Sequence, residues 1–297
     1  QMNLDPPLLV SQGWGAPERS EVLERAHALA RQLGDTERLL IILYTLADLC
    51  TAQAKHRQAL AYADQLLALA QKAGDRVYEA LGCRMVGTAH FFLGNFRAAR
   101  EHLEDGLTCY ADVTREALSP EKAASVERAV FLWAWLPHTL LVLGYPEQAS
   151  ARSREALERV RPHGPAHTQA IMLMAAGVSF NAMAWQPRAA LRYAQELLTL
   201  ATEYDLAAFR GWATFYRGWA RATMGQAEDG LSDMRAGWDH LQATGSKGSQ
   251  PHLLTLWAEA RLEYGEVDKS EALLDRALAL TEQNGEALYL AETHRVR

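Results

Sequence analysis

A period of about forty residues, marked by small side chains, constrains this chain more than any other feature. Breaks after successive apolar stretches fall at Ala54, Gly94, Gly144, Ala184, Gly225 and Gly265, spaced 40, 50, 40, 41 and 40 residues apart. Five residues after the breaks stand Ala59, Ala99, Ala149, Ala189, Gly230 and Ser270; seven before them stand Ala47, Gly87, Pro137, Gly177, Gly218 and Ala258. A small residue on one helix facing a small residue on the next lets two backbones approach and cross ridge into groove. The stretch Arg210–Gly230 displays the unit most plainly: an apolar helix with Gly218 inside it, a break at Gly225-Gln226, and a second helix carrying Gly230. Twenty residues after the breaks, Gly74, Gly164, Gly245 and Gly285 suit left-handed C-caps, with Thr114 and Tyr204 in the other two places.

The period predicts an all-α fold, an α-solenoid of about six antiparallel helix pairs plus partial end units, read as one repeat domain over 1–297. Residues 1–35 form an irregular leading segment and a first helix, and 36–285 form six hairpins. First (A) helices are predicted near 36–53, 76–93, 124–143, 166–183, 205–224 and 250–264. Second (B) helices are predicted near 57–73, 97–112, 147–161, 187–203, 227–243 and 268–283. Nine of the ten prolines fall at these boundaries, where a missing N–H costs little, and Pro137 is predicted to kink the third A helix. The single spacing of 50 places an insert near Asp112–Ala124. The period is cut inside a further helix over 286–297, from which a segment of a longer protein is expected.

Charge and composition narrow the function classes. The net charge is −6 with acidic and basic residues interspersed, so there is no basic stripe to neutralise nucleic-acid phosphates. Cys50, Cys83 and Cys109 have no ligand spacing, and their odd, sparse count suits a reducing compartment. The N-terminus lacks the basic and apolar regions of a signal peptide. The longest apolar run, Val130–Leu143, is interrupted by Pro137 and His138 and is shorter than the roughly 18–20 residues of a bilayer span. A cytoplasmic protein without membrane contact is expected.

No motif promises catalysis, a metal or a cofactor. Gly245-Ser246-Lys247-Gly248-Ser249 lacks the Walker spacing, and Gly13-Trp14-Gly15 lacks a third glycine and a preceding strand. His163 and His167 are four apart, but Gly164 and Pro165 break the helix that would converge them on zinc. Ser119-Pro120-Glu121-Lys122 has no partner motif. The expectation is a non-enzymatic segment with no catalytic residues.

In stacked hairpins the A helices line the concave face, with residues 10, 6 and 3 before each break turned inward. These are Tyr44, Asp48 and Thr51; Arg84, Thr88 and Phe91; Ala134, His138 and Leu141; Met174, Val178 and Asn181; Phe215, Trp219 and Ala222; and Thr255, Glu259 and Leu262. The candidate ligand or partner face is accordingly Tyr44, Asp48, Arg84, Phe91, His138, Met174, Asn181, Phe215, Trp219 and Glu259. Apolar area with a few polar handles suits a peptide, a protein partner or a small apolar ligand.

Paired small residues in helix-turn-helix units resemble the tetratricopeptide repeat, here longer than its usual unit of about 34 residues. Leu143-Gly144-Tyr145-Pro146-Glu147-Gln148-Ala149, Arg217-Gly218-Trp219-Ala220 with Gly225-Gln226-Ala227-Glu228, and Phe92-Leu93-Gly94-Asn95-Phe96 with Ala98-Ala99-Arg100 carry a closer resemblance. They resemble the C-terminal repeat region of bacterial STAND-type signalling ATPases, often fused to adenylate or guanylate cyclase or to DNA-binding domains. The resemblance spans roughly residues 8–297. It implies a sensor and protein-interaction segment that regulates an ATPase or effector domain upstream in the same polypeptide. Relatives tend to carry a Gly-Asp-Pro-Gly-like loop before the third A helix, where this chain reads Ala124-Ser125-Val126-Glu127-Arg128-Ala129. A stand-alone adaptor and a peptide or small-molecule receptor are the alternatives.

Overall fold

Each described hairpin turns through the same three-residue break. A computed structural model describes residues 17–113, 131–159, 165–244 and 247–297. In it, helices run over Pro17–Leu33 (α1), Thr36–Ala52 (α2), His56–Ala73 (α3), Arg76–Phe92 (α4), Phe96–Ala111 (α5), Leu132–Val142 (α6) and Pro146–Glu158 (α7). Helix α8 is α-helical over Ala166–Met172, π-helical over Leu173–Ser179 and α-helical again over Phe180–Met183. Then follow Pro187–Glu203 (α9), Ala207–Thr223 (α10), Ala227–Ala243 (α11), Gln250–Glu263 (α12), Val267–Asn284 (α13) and Leu290–Val296 (α14). There is no strand among the described residues. The expected insert beyond Val113, the start of the third A helix, and the cap positions Thr114, Gly164 and Gly245 lie outside the described residues.

The break is a left-handed residue followed by one whose N–H reaches back five residues along the helix. Lys55 N bonds Cys50 O, Asn95 N bonds His90 O, and Gln226 N bonds Arg221 O, each at 2.8–2.9 Å. The left-handed residue is Ala54, Gly94, Gly144, Gly225 or Gly265, as the period predicts. The fourth break is a correction: the residue at positive φ is Trp185 (φ 57), not Ala184, and Gln186 N bonds Asn181 O at 2.8 Å. The left-handed residue that ends α9 is correspondingly Asp205 (φ 52), not Tyr204. The extra residue sits in the π-helical part of α8, where hydrogen bonds span one residue more than in an α-helix.

The B helices confirm this register. Ala59, Ala63, Leu66 and Ala70 of α3 are buried, as are Ala190, Ala194, Leu197 and Ala201 of α9, and Ser270, Leu274, Ala277 and Thr281 of α13. Steps of four, three and four residues place these on one face. Ala190, not Ala189, is therefore the fourth small contact residue. Burying a leucine such as Leu197 contributes roughly 1.5–3 kcal/mol.

Helix contacts divide the chain into two compact units, one reaching Leu132 and also holding Lys247 and Gly248, the other running from Trp133 to Thr244 and from Ser249 to Arg297. In the first, α1 to α5 pack each on the next, and α2 also meets α4. In the second, α9 to α13 pack in sequence, α10 touches both α8 and α12, and α12 touches α14. The closest pair is α10 with α11. A Cβ on Gly218 would lie 2.5 Å from Gly230 O and 2.6 Å from Met234 N, and one on Gly230 would lie 2.6 Å from Gly218 O and Ala222 N. Asp233 fastens the pair from the outside, accepting from Arg217 at 2.7 and 2.9 Å and from Arg221 at 2.8 Å. Pro137 lies inside α6, and Pro146, Pro187 and Pro251 open their helices. No described helix is long and apolar enough to cross a membrane.

Asp205 offers a direct test of the corrected register. It is exposed, its partner Arg210 is 2.7 Å away, and an exposed pair of this kind contributes little. A left-handed conformation costs a non-glycine residue about 1 kcal/mol. Asp205→Gly is expected to stabilise the chain by about 0.5–1 kcal/mol in urea unfolding. A comparable loss would place the left-handed residue elsewhere.

Candidate functional site

In the first unit, three of the ten expected residues converge. Tyr44 and Asp48 project from α2 and Arg84 from α4, forty residues on, so successive A helices present equivalent positions to each other. Arg84 is only 4% exposed. Its Nη2 donates to Tyr44 Oη at 2.8 Å and to Asp48 Oδ1 at 3.3 Å, and it lies 2.8 Å from Met85 Sδ. The guanidinium carbon sits 5.3 Å from the Tyr44 ring centre and 5.5 Å from that of Phe131. Thr88, one turn further along α4, is also buried. Phe91, by contrast, is a core residue, set edge-on to Phe92 and Phe96 at 5.6 and 6.0 Å.

In the second unit, buried and half-buried polar side chains pair across the A helices. His138 Nδ1 lies 3.0 Å from Ala134 O and Nε2 lies 3.3 Å from Ser179 Oγ. On the next A helices, the Tyr216 hydroxyl lies 3.3 Å from His252 Nδ1. A carbonyl only accepts, so His138 Nδ1 carries the proton and Nε2 accepts from Ser179. His252 Nε2 is buried without a hydrogen-bond partner. The Tyr289 ring covers the face of His252, with centroids 3.7 Å apart and planes 5° apart. Burial holds His138 at a pKa of about 4, although the Ala134 bond pulls upward, and burial followed by the charge of His138 holds His252 at about 3.

The remaining expected residues are placed differently from a ligand-lining face. Asn181 turns to its own helix and donates to Gly177 O at 2.6 Å. With the register moved by one, Ser179 takes the position that Val178 was expected to hold. Met174 packs half-buried against the core, and Phe215 and Trp219 lie within it. Trp219 is 1% exposed, with its ring 5.5 Å from that of Trp185, which is itself 49% exposed. Glu259 pairs with Arg295, and burial raises its pKa more than Arg295 lowers it. Phe91, Phe215 and Trp219 are covered because neighbouring helices close over the A-helix aromatics. Sequence reasoning missed Ser179, Tyr216 and His252, and only the left-handed Trp185 could have pointed to the first.

Compared with known proteins, this chain matches no family model and no curated protein.

What the two clusters do chemically follows from their surroundings. Ser179 and His138 have the spacing of a nucleophile and a base, but an imidazole held near pKa 4 takes a proton from serine poorly. Its Nδ1 faces a neutral carbonyl, not a carboxylate that would stabilise the imidazolium. Cys50 and Cys83 are pushed up to about 11 and about 12, chiefly by burial, and stay as unreactive thiols at neutral pH. Among the described residues no group of three or more His, Cys, Asp or Glu is arranged to hold a metal ion. The Arg84 cluster gathers a positive charge, two aromatic faces and polar side chains from two helices.

Proposed function

We propose that this chain is a tetratricopeptide-type repeat segment, a superhelix of helical hairpins, that serves a larger cytoplasmic signalling ATPase as its non-enzymatic sensor and partner-binding part. One observation carries the reading: Tyr44, Asp48 and Arg84, on consecutive A helices, gather around a buried guanidinium. Burying a charge with incomplete pairing is costly and contributes little to stability, so its retention favours a role in recognition. The low basicity of His138 and the protonated thiols support a binding role over catalysis. A ligand or partner that favours one arrangement of the hairpins would bias the ATPase between two states by its differential affinity for them.

The test begins with the coding sequence upstream of residue 1. The reading requires the open frame to continue through a Walker-containing domain. In that full polypeptide, Arg84→Glu is expected to change ATP turnover at least about threefold, a modest coupling of under 1 kcal/mol, with ATP affinity unchanged. An upstream stop codon, or turnover identical to the parent, would overturn the sensor reading.

A further inference from the structure

A guanidinium carries five N–H donors. In Arg84 every bond leaves from Nη2, to Tyr44, Asp48 and Met85, and Nε is buried without an acceptor. Nη1 takes no part in these bonds. One helical turn away on the same face, Thr88 Oγ1 is also buried without a partner. Among the described residues the only acidic partner is weak: Asp48 lies 3.3 Å away, beyond the roughly 2.7–2.9 Å of a good charge-assisted bond. Its side chain is also 29% exposed, so water competes for it. A buried cation with unused donors, beside a hydroxyl in the same condition, is arranged for an acceptor that the described residues do not supply.

We propose that Arg84 and Thr88 form a binding site for a small carboxylate. This rests on reading the A-helix face of the first unit as its recognition face. A carboxylate is planar and offers two oxygens with several lone pairs, so one group can engage the guanidinium and the Thr88 hydroxyl together. Asp48 favours a monoanion over phosphate, because its own charge stays within a few ångströms and repels a second negative charge. The rings of Tyr44 and Phe131 beside the guanidinium favour a carboxylate with an apolar body, such as benzoate, over acetate.

The experiment is thermal unfolding and calorimetric titration of the 297-residue chain at neutral pH, with benzoate, acetate, inorganic phosphate and chloride at matched ionic strength. Benzoate is expected to raise the unfolding midpoint by about 3 °C at a concentration roughly tenfold above its Kd. Acetate should act more weakly, and phosphate and chloride should not act. Arg84→Met should lose the response yet unfold, without ligand, at the same or a higher temperature, since it removes a buried charge. Thr88→Val should weaken binding about threefold to tenfold, and Asp48→Asn should strengthen it by a similar factor. Arg84→Lys, which keeps the charge but loses the planar donor array, should bind at least about tenfold more weakly.

A wild-type chain indifferent to benzoate, or an Arg84→Met chain that responds equally, overturns the site. An equal response to phosphate overturns the assignment to carboxylates. If carboxylate binding fails while Arg84→Glu still alters turnover of the full ATPase, the ligand class is wrong and the sensor reading stands. If binding is found and turnover does not change, the site stands and the sensor reading falls.

Discussion

Gly218→Val is expected to unfold the α10–α11 pair, costing more than about 4 kcal/mol and lowering the thermal midpoint by about 10 °C or more. The added Cβ would meet Gly230 O at 2.5 Å and Met234 N at 2.6 Å, and both are backbone atoms. Backbone in the middle of a helix has no rotamer by which to retreat, so the helices must separate. Separation opens the Asp233 clasp with Arg217 and Arg221 and exposes Phe215, Met234 and Trp238 from the shared core. Gly218→Ala carries the same Cβ and should cost about 2–4 kcal/mol, so the prediction survives if the valine variant fails to fold. Gly225→Ala is the control. Gly225 has φ 89 with open space around it, so its loss should cost only about 1–2 kcal/mol of left-handed strain. Circular dichroism melts of the three variants check the order, and a Gly218→Val midpoint close to the parent's would refute the close crossing.

Acid should destabilise the second unit well before its carboxylates titrate. Burial depresses the folded-state pKa of His138 to about 4 and that of His252 to about 3, against an ordinary value of 6.5. A depressed folded pKa means that the unfolded chain binds protons first as pH falls. The stability from keeping these rings neutral is complete above pH 6.5 and is lost progressively as pH falls below it, through 4 and then 3. Each ring's contribution is of the order of 3 kcal/mol. Urea midpoints should therefore drop between about pH 7 and 4.5. His252→Gln should remove about half of that dependence, while Tyr216→Phe should lower stability at every pH by leaving His252 Nδ1 without its partner. Equal pH slopes for wild type and His252→Gln would show that these rings do not sit in a dry interior.

The candidate site was half legible. Tyr44, Asp48 and Arg84 occupy equivalent places one period apart, so a forty-residue repeat places them opposite one another once the hairpins stack. Ser179, Tyr216 and His252 obey no such rule. They stand 6, 9 and 13 residues before their breaks at Trp185, Gly225 and Gly265, so the contact point steps along each successive A helix. A period marks equivalent positions, not the place where neighbouring helices touch. The aromatics failed for a related reason: Phe91, Phe215 and Trp219 repeat at helical spacing whether a neighbour covers them or solvent does, and here the neighbours cover them.

By itself the sequence determined the helical hairpins, five of the six breaks and the small residues that let α10 and α11 cross. Each of these depends on backbone sterics that a glycine, alanine or proline announces locally. Only the tertiary structure decided the fourth break, because a bulky residue at positive φ is disfavoured locally and no local preference nominates Trp185. The buried faces of α8 and α9 impose it. With Ala190, Ala194, Leu197 and Ala201 turned to the core, the extra residue has to be taken up in the π-helical turn of α8. The same packing brings Ser179 to His138, and helix packing within the first unit leaves Arg84 enclosed with donors to spare. Burial depends on what the neighbouring helices bring, and a single helix's sequence does not contain it.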